Sequence, residues 1–115
     1  MLSIRPAQAR DVPTLNTLIH EFADFERLAA AVSEAGLLRD GFGEAPKFRV
    51  VMAEWDGQPA GYALFFDYYS SFEGRPGLFL EDIYVRSEYR GKGIGMALLA
   101  RVASVAREKN CFDVR

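Results

Sequence analysis

The stretch LFLEDIYVRSEYRGKGIGMALL, residues 78–99, decides the fold, because its character changes twice within 22 residues. Its first eight residues are rich in β-branched and aromatic side chains and read as a buried strand. After the short connection RSEY come Gly91, Gly93 and Gly95 at alternate positions, and then an apolar helical pattern in which Ile94, Leu98, Val102 and Val105 share a face. Glycine is the poorest ordinary residue for holding a helix, so three of them at its opening need a reason. A helix N-terminus exposes unpaired N–H groups and the positive end of the peptide dipoles, and glycines there let a phosphate reach those donors. Arg90 and Lys92 add positive charge suited to a diphosphate. Two other phosphate motifs fail on inspection: a dinucleotide fingerprint from Gly91 needs glycine where Met96 stands, and a Walker loop needs Ser or Thr where Gly93 stands. The competing reading is a turn whose glycines only let strand and helix pack closely.

Working outward, LSIRP (2–6) is a short strand closed by Pro6, and RDVPTLNTLIHEFADFERL (10–28) spaces Val12, Leu15, Leu18, Ile19, Phe22 and Leu28 as one helical face. Asp11 stands at its N-cap position and Pro13 in its first turn. VSEAGLLRDG (32–41) reads as a shorter helix capped by Ser33 and stopped at Gly41. KFRVVMAEW (47–55) and AGYALFFDYY (60–69) flank Asp56-Gly57, a hairpin-turn dipeptide, and so form an antiparallel pair. CFDVR (111–115) opens another strand. The order strand, helix, helix, hairpin, strand, helix, strand indicates an α/β or α+β architecture, a mixed sheet covered by helices.

A chain of 115 residues, half of them hydrophobic, has core enough for a single domain, 1–115. A net charge of −2 with no block of either sign excludes a nucleic-acid arm and a membrane-binding patch. The single Cys111 makes no internal disulfide and reads as a small buried hydrophobe, and MLSIRPAQAR (1–10) lacks the apolar core of a signal peptide, so a cytoplasmic location is expected. His20, the only histidine, has no second ligand in view, and no metal is assigned.

RGKGIG (90–95), together with IRPAQARD (4–11), LLRDGFGE (37–44) and LFLEDIYVRSEYRGKGIG (78–95), resembles the GNAT superfamily of acyl-CoA-dependent N-acyltransferases, and within it the diamine (spermidine/spermine) N1-acetyltransferase branch. The resemblance implies the GNAT fold, a mixed, mostly antiparallel sheet flanked by helices, with acetyl-CoA as cosubstrate. It places the cofactor's pantetheine arm along the backbone of Ile83, Tyr84 and Val85, and its pyrophosphate on the turn of Arg90, Gly91, Lys92, Gly93, Ile94, Gly95 and Met96. It carries substrate contacts to Phe25, Glu26 and Glu81. It implies a small-molecule amine substrate, a polyamine or a thialysine-type amino acid, acetylated by direct attack in a ternary complex.

The chemistry asks for a base independently. Deprotonating an amine of pKa near 10.4 at pH 7 costs about 4 to 5 kcal/mol. Glu81, on a strand read as buried, is the expected catalytic base with a raised pKa, alone or through a water. Asp82 is expected on the opposite face, since side chains alternate along a strand. Glu26, Asp67 and Glu73 are further acids for a cleft that takes a polycation.

The family's chain continues past the position of Arg115, through a longer fifth strand, a helix and a final hairpin that carry an Asn for the cofactor and a Tyr that protonates the departing thiolate. The chain is therefore expected to be incomplete at its C-terminus, to pair through an open sheet edge as a homodimer, and to turn over weakly alone. A non-catalytic CoA-binding or interaction module is the alternative function.

Overall fold

The computed structural model describes residues 1–115. Asp56 and Gly57 both adopt positive φ, 51° and 81°, and turn β2 (Arg49–Trp55) back into β3 (Gln58–Ser70), the hairpin expected of that dipeptide. β1 (Leu2–Pro6) pairs with the far side of β2, and β4 (Arg75–Val85) with the far side of β3, giving one antiparallel sheet in the order β1-β2-β3-β4. Alternation along these strands makes the sheet apolar on both faces. Val50, Met52, Tyr62 and Tyr84 face α1 (Val12–Phe25) and α2 (Glu34–Gly41), meeting Val12, Leu15, Leu18 and Leu37. Val51, Ala53, Ala63, Phe65 and Leu78 face α3 (Ile94–Glu108), meeting Ile94, Leu98, Val102 and Ala106.

On β4 one residue interrupts this alternation. Leu64 lies opposite Asp82 while the next residue, Phe65, lies opposite Leu80, so Glu81 has no partner on β3 and forms a bulge. Before the bulge, Leu78 and Leu80 pack on the α3 side. After it the parity reverses: Ile83 and Val85 pack on the α3 side and Tyr84 on the α1 side.

Three local expectations change. Asp11 stands at the N-cap of α1 but makes no side-chain cap bond, because Arg5 takes both its oxygens (Nη1 to Oδ2 2.7 Å, Nη2 to Oδ1 2.9 Å) and the Gln8 N–H also donates to Oδ2. By contrast Ser33 does cap α2, accepting from the Gly36 N–H at 3.1 Å. Helix α1 ends at Phe25, and Arg27 follows at φ 58°, so Leu28 falls outside the helix and stays exposed. After α3 the chain turns at Asn110, and the Cys111 and Phe112 N–H groups are spent on Ala106 O and Pro76 O. A ladder begins only beyond them, leaving one parallel bridge, Leu78 with Val114, where a fifth strand was expected. Cys111 is half-buried against the α3-side core.

Arg5 holds the Asp11 carboxyl below the usual carboxylate range, against the burial that pushes it up. Such a group stabilises the fold above its unfolded pKa of about 4, and the contribution is lost as pH falls through the lower folded value. Asp11→Asn is expected to cost about 2 kcal/mol in urea denaturation near pH 7, less than the 3–5 of a fully buried pair because the Arg5 side chain keeps 26% of its surface exposed. The difference between wild type and variant should shrink as pH drops from about 5 to about 2; a gap that stays constant would show that the ion pair is not its source.

Candidate active site

The sheet ends at Val85. The Arg86 N–H turns inward to Ala60 O (2.8 Å), so by alternation the peptide groups of Val85 and Ile83 face the outer edge of β4. The Val85 carbonyl there accepts from Arg90 Nε at 3.0 Å. A short 3-10 turn, Ser87–Tyr89, leads into the glycines. Gly91 and Gly93 have φ of 81° and 79°, and a side chain on either would meet only open space, so their backbone angles are what demand glycine. Gly93 is itself the N-cap of α3, whose first backbone bond runs from Ala97 N to Gly93 O at 3.1 Å. The N–H groups of Ile94, Gly95 and Met96 are therefore left without helical acceptors. Gly95 differs: it lies inside the helix, and an added Cβ would make ordinary contact with Val85 at 3.9 Å. Its small size leaves room beside the strand.

A hollow of about 370 Å³ opens here, lined by Val85, Tyr89 and the turn from Arg90 to Met96 with the exception of Lys92. Lys92 Nζ instead lies 4.9 Å from the Trp55 ring centre, turned off the hollow it was expected to charge. The Arg90 guanidinium sits 4.5 Å from the ring centre of Phe25, which is 60% exposed at the end of α1. Phe25 thus faces the glycine turn and not the acidic residues described next.

A second hollow, of about 380 Å³, lies between the end of α1 and β4. Ile19, Phe22 and Leu28 give it apolar walls, and Glu26, Glu81 and Asp82 are its carboxylates. Two expectations are corrected at this point. Glu81 is exposed, not buried, because the bulge pushes it out of the ladder. Asp82 does not face away from it, because the bulge that reverses the strand's parity brings consecutive side chains to the α1 side. The less exposed carboxylate of the pair is the half-buried Asp82, whose oxygen Oδ2 accepts from the Tyr62 hydroxyl at 2.8 Å. Burial pushes the Asp82 carboxyl up, and the Tyr62 bond opposes that rise. Tyr62 is driven well above an ordinary phenol by burial first and by the Asp82 charge second, so it remains a donor. No Lys or Arg pairs with Glu26, Glu81 or Asp82.

Beside this hollow, Arg86 makes a two-pronged bond to Glu21 on α1 (3.0 and 2.7 Å), and the Tyr84 hydroxyl donates to the same carboxylate at 3.2 Å. Phe22 stacks on Tyr84 with ring centres 5.3 Å apart. Asp67 and Glu73 are not part of this wall: Asp67 pairs with Arg49 and Lys109, and Glu73 lies in the turn between β3 and β4. His20 Nε2 lies 3.1 Å from the Val32 carbonyl and tethers the α1–α2 connection. Sequence reading missed Tyr62, Glu21 and Arg86. The only signal for Tyr62 was a polar tip in the middle of a strand pattern, and its partner depends on register across the hairpin.

Residues 14–114 match the model of the Acetyltransferase (GNAT) family. The chain is 41% identical to bovine thialysine N-epsilon-acetyltransferase, over 97% of this chain and 71% of the relative. It is 38% identical to human spermidine/spermine N(1)-acetyltransferase-like protein 1, over 94% of this chain and 17% of that larger protein. Among solved structures, a ribosomal-protein-alanine N-acetyltransferase from Brucella melitensis superimposes with a TM-score of 0.83 at 25% identity, covering 98% of this chain and 77% of the other.

The glycines separate in a stability experiment. Gly91→Ala and Gly93→Ala should each lose about 1 kcal/mol or more, because alanine resists the left-handed region. Gly95→Ala, at a helical position with room for a methyl, should be neutral or gain about 0.5 kcal/mol. Equal losses at all three positions in thermal denaturation would contradict this division.

Proposed function

The chain belongs to the Acetyltransferase (GNAT) family, and from that premise we propose that it transfers acetyl from acetyl-CoA to a primary amine of a polyamine or small amino-acid-like substrate by direct attack in a ternary complex. One observation carries the reading: the two hollows stand at opposite ends of the same short run of strand, Glu81 to Val85. At one end are unpaired helix N–H groups that suit an anion. At the other are three carboxylates without cations, between apolar walls that suit an alkyl chain bearing ammonium groups.

The residues fit the cosubstrate at the positive-φ glycines, where the space a side chain would fill is open. Bound acetyl-CoA supplies the thioester carbonyl that is attacked and the thiolate that leaves. The turn from Arg90 to Met96 would hold the diphosphate, and the outward peptide groups of Ile83 and Val85 the pantetheine arm. Phe25, already against Arg90, would close over that turn. Glu81, exposed at the bulge, would accept the ammonium proton directly or through a water, freeing the lone pair next to the strand along which the arm lies. Glu26 would hold a second ammonium or an amino group further along the substrate, while Ile19, Phe22 and Leu28 cover the methylenes between. A thialysine-type amino acid and a polyamine share this pattern of amine, flexible chain and second cationic nitrogen.

Thiol release from acetyl-CoA is expected with spermidine or thialysine as acceptor. Glu81→Gln should lower kcat about a hundredfold or more while changing acetyl-CoA affinity little. Gly93→Val should abolish acetyl-CoA binding in calorimetry. Tight cofactor binding with no transfer to any acceptor would favour a non-catalytic CoA-binding module, and a Gly93→Val variant that binds normally would remove the cofactor site from the glycine turn.

A further inference from the structure

Tyr62 is fully buried in the middle of β3 on the α1 side of the sheet. A tyrosine at that depth needs a partner for its hydroxyl. Its cross-strand neighbour is Tyr84, so Asp82 lies on the diagonal, and it comes within reach only because the bulge has moved it to this face. The bond occupies Asp82 Oδ2, while Oδ1 has no protein donor, and Asp82 lines the hollow between α1 and β4.

We propose that Tyr62 is a positioning residue for amine recognition: its hydroxyl pins Asp82 in one orientation, so that Oδ1 stands as a fixed acceptor for the substrate's ammonium beside Glu81. The inference rests on the reading of this hollow as the amine site, and it divides the labour of the two bulge carboxylates. Glu81, exposed and unpinned, is free to move with a proton. Asp82, gripped from below, is not.

The surroundings of Asp82 explain why a neutral donor is needed. Glu81 and Tyr84 face it from β4, Tyr62 from β3, and Glu26 from the C-cap of α1, with Glu21 near Tyr84 already committed to Arg86. None of these brings a positive charge to Asp82. Burial favours its neutral form, which would present a proton where the ammonium needs an acceptor. The Tyr62 hydroxyl is the one protein donor bonded to it. A phenol kept protonated by its own burial supplies that bond at every working pH.

Tyr62→Phe keeps the ring and removes only the donor. By ¹³C-carboxyl NMR titration, the Asp82 midpoint should rise by about one pH unit. The acidic limb of kcat/KM should move up with it, and KM for spermidine should rise about fivefold or more, with kcat nearly unchanged. Asp82→Asn should raise KM similarly, and the double variant should add nothing further. Fluorotyrosine placed at position 62 keeps ring and hydroxyl while making a stronger donor. It should shift both midpoint and limb downward, and it carries the test should Tyr62→Phe fail to fold. An Asp82 midpoint indifferent to both changes, or a shifted midpoint with pH profile and KM unmoved, overturns the proposal and leaves Tyr62 a packing residue. Wild-type protein that binds acetyl-CoA but neither spermidine nor thialysine in calorimetry would overturn the amine-site reading, and this inference with it.

Discussion

The bulge at Glu81 is the constraint on which the site depends. A strand of 11 residues must serve two masters: its first half supplies Leu78 and Leu80 to the core under α3, and its second half must deliver polar groups to the α1 side. With strict alternation, Asp82 and Tyr84 would continue the line of Leu78 and Leu80 into the α3-side core. A carboxylate there, among Ile94 and Leu98 with nothing to bond, would cost several kcal/mol or stay protonated. The extra residue reverses the parity, sends Ile83 and Val85 to that core instead, and leaves both acids facing the α1 side. Loss of ladder pairing at one position is a modest cost against a misplaced charge.

The second structural requirement is that the two hollows keep a fixed separation. The exit of β4 is tied to α1 by Arg86, which holds both oxygens of Glu21, and by the Tyr84 hydroxyl on the same carboxylate. Two-pronged Arg–carboxylate bonds restrict orientation as well as distance. Arg90 adds a looser link, stacking on Phe25 at the last turn of α1 while donating to the Val85 carbonyl. The wall of the acidic hollow, the end of the strand and the start of the glycine turn are thus one connected unit. A displacement of α1 would be felt at both ends of the run from Glu81 to Val85.

What was legible in the sequence is what local chemistry decides. Asp56-Gly57 carries its own turn geometry, Ser33 caps the helix it precedes, and the face of Ile94, Leu98 and Val102 follows from helical spacing alone. The glycine turn could be recognised for the same reason, although the structure divides its glycines into two that set backbone angles and one that only makes room. Non-local pairings were not legible. The dipeptide Glu81-Asp82 looks like an ordinary alternating pair until the register with Leu64 and Phe65 shows which residue is unopposed. Lys92 is drawn to Trp55, and Tyr62 to Asp82, by contacts that no spacing rule anticipates. The residues proposed for binding were named by resemblance; which hollow each one faces depends on the sheet.

Charge satisfaction sets Asp82 apart from the other half-buried acids of the molecule. Away from it, the partly buried acids have cations: Asp11 and Glu54 share Arg5, and Glu21 has Arg86. In the hollow, Glu26, Glu81 and Asp82 have none, and Asp82 relies on a neutral phenol. At the other end of the same strand segment the first N–H groups of α3 lack acceptors, with Lys92 turned off the hollow to Trp55. Each end therefore presents polar groups of opposite character without protein partners, N–H donors at one and carboxylates at the other. A ligand that brings an anion to one end and a cation to the other supplies partners at both, and at the half-buried Asp82 charges interact more strongly than in bulk water. The groups left without protein partners at the two ends of one strand segment are thus the ones that the proposed diphosphate and ammonium would engage.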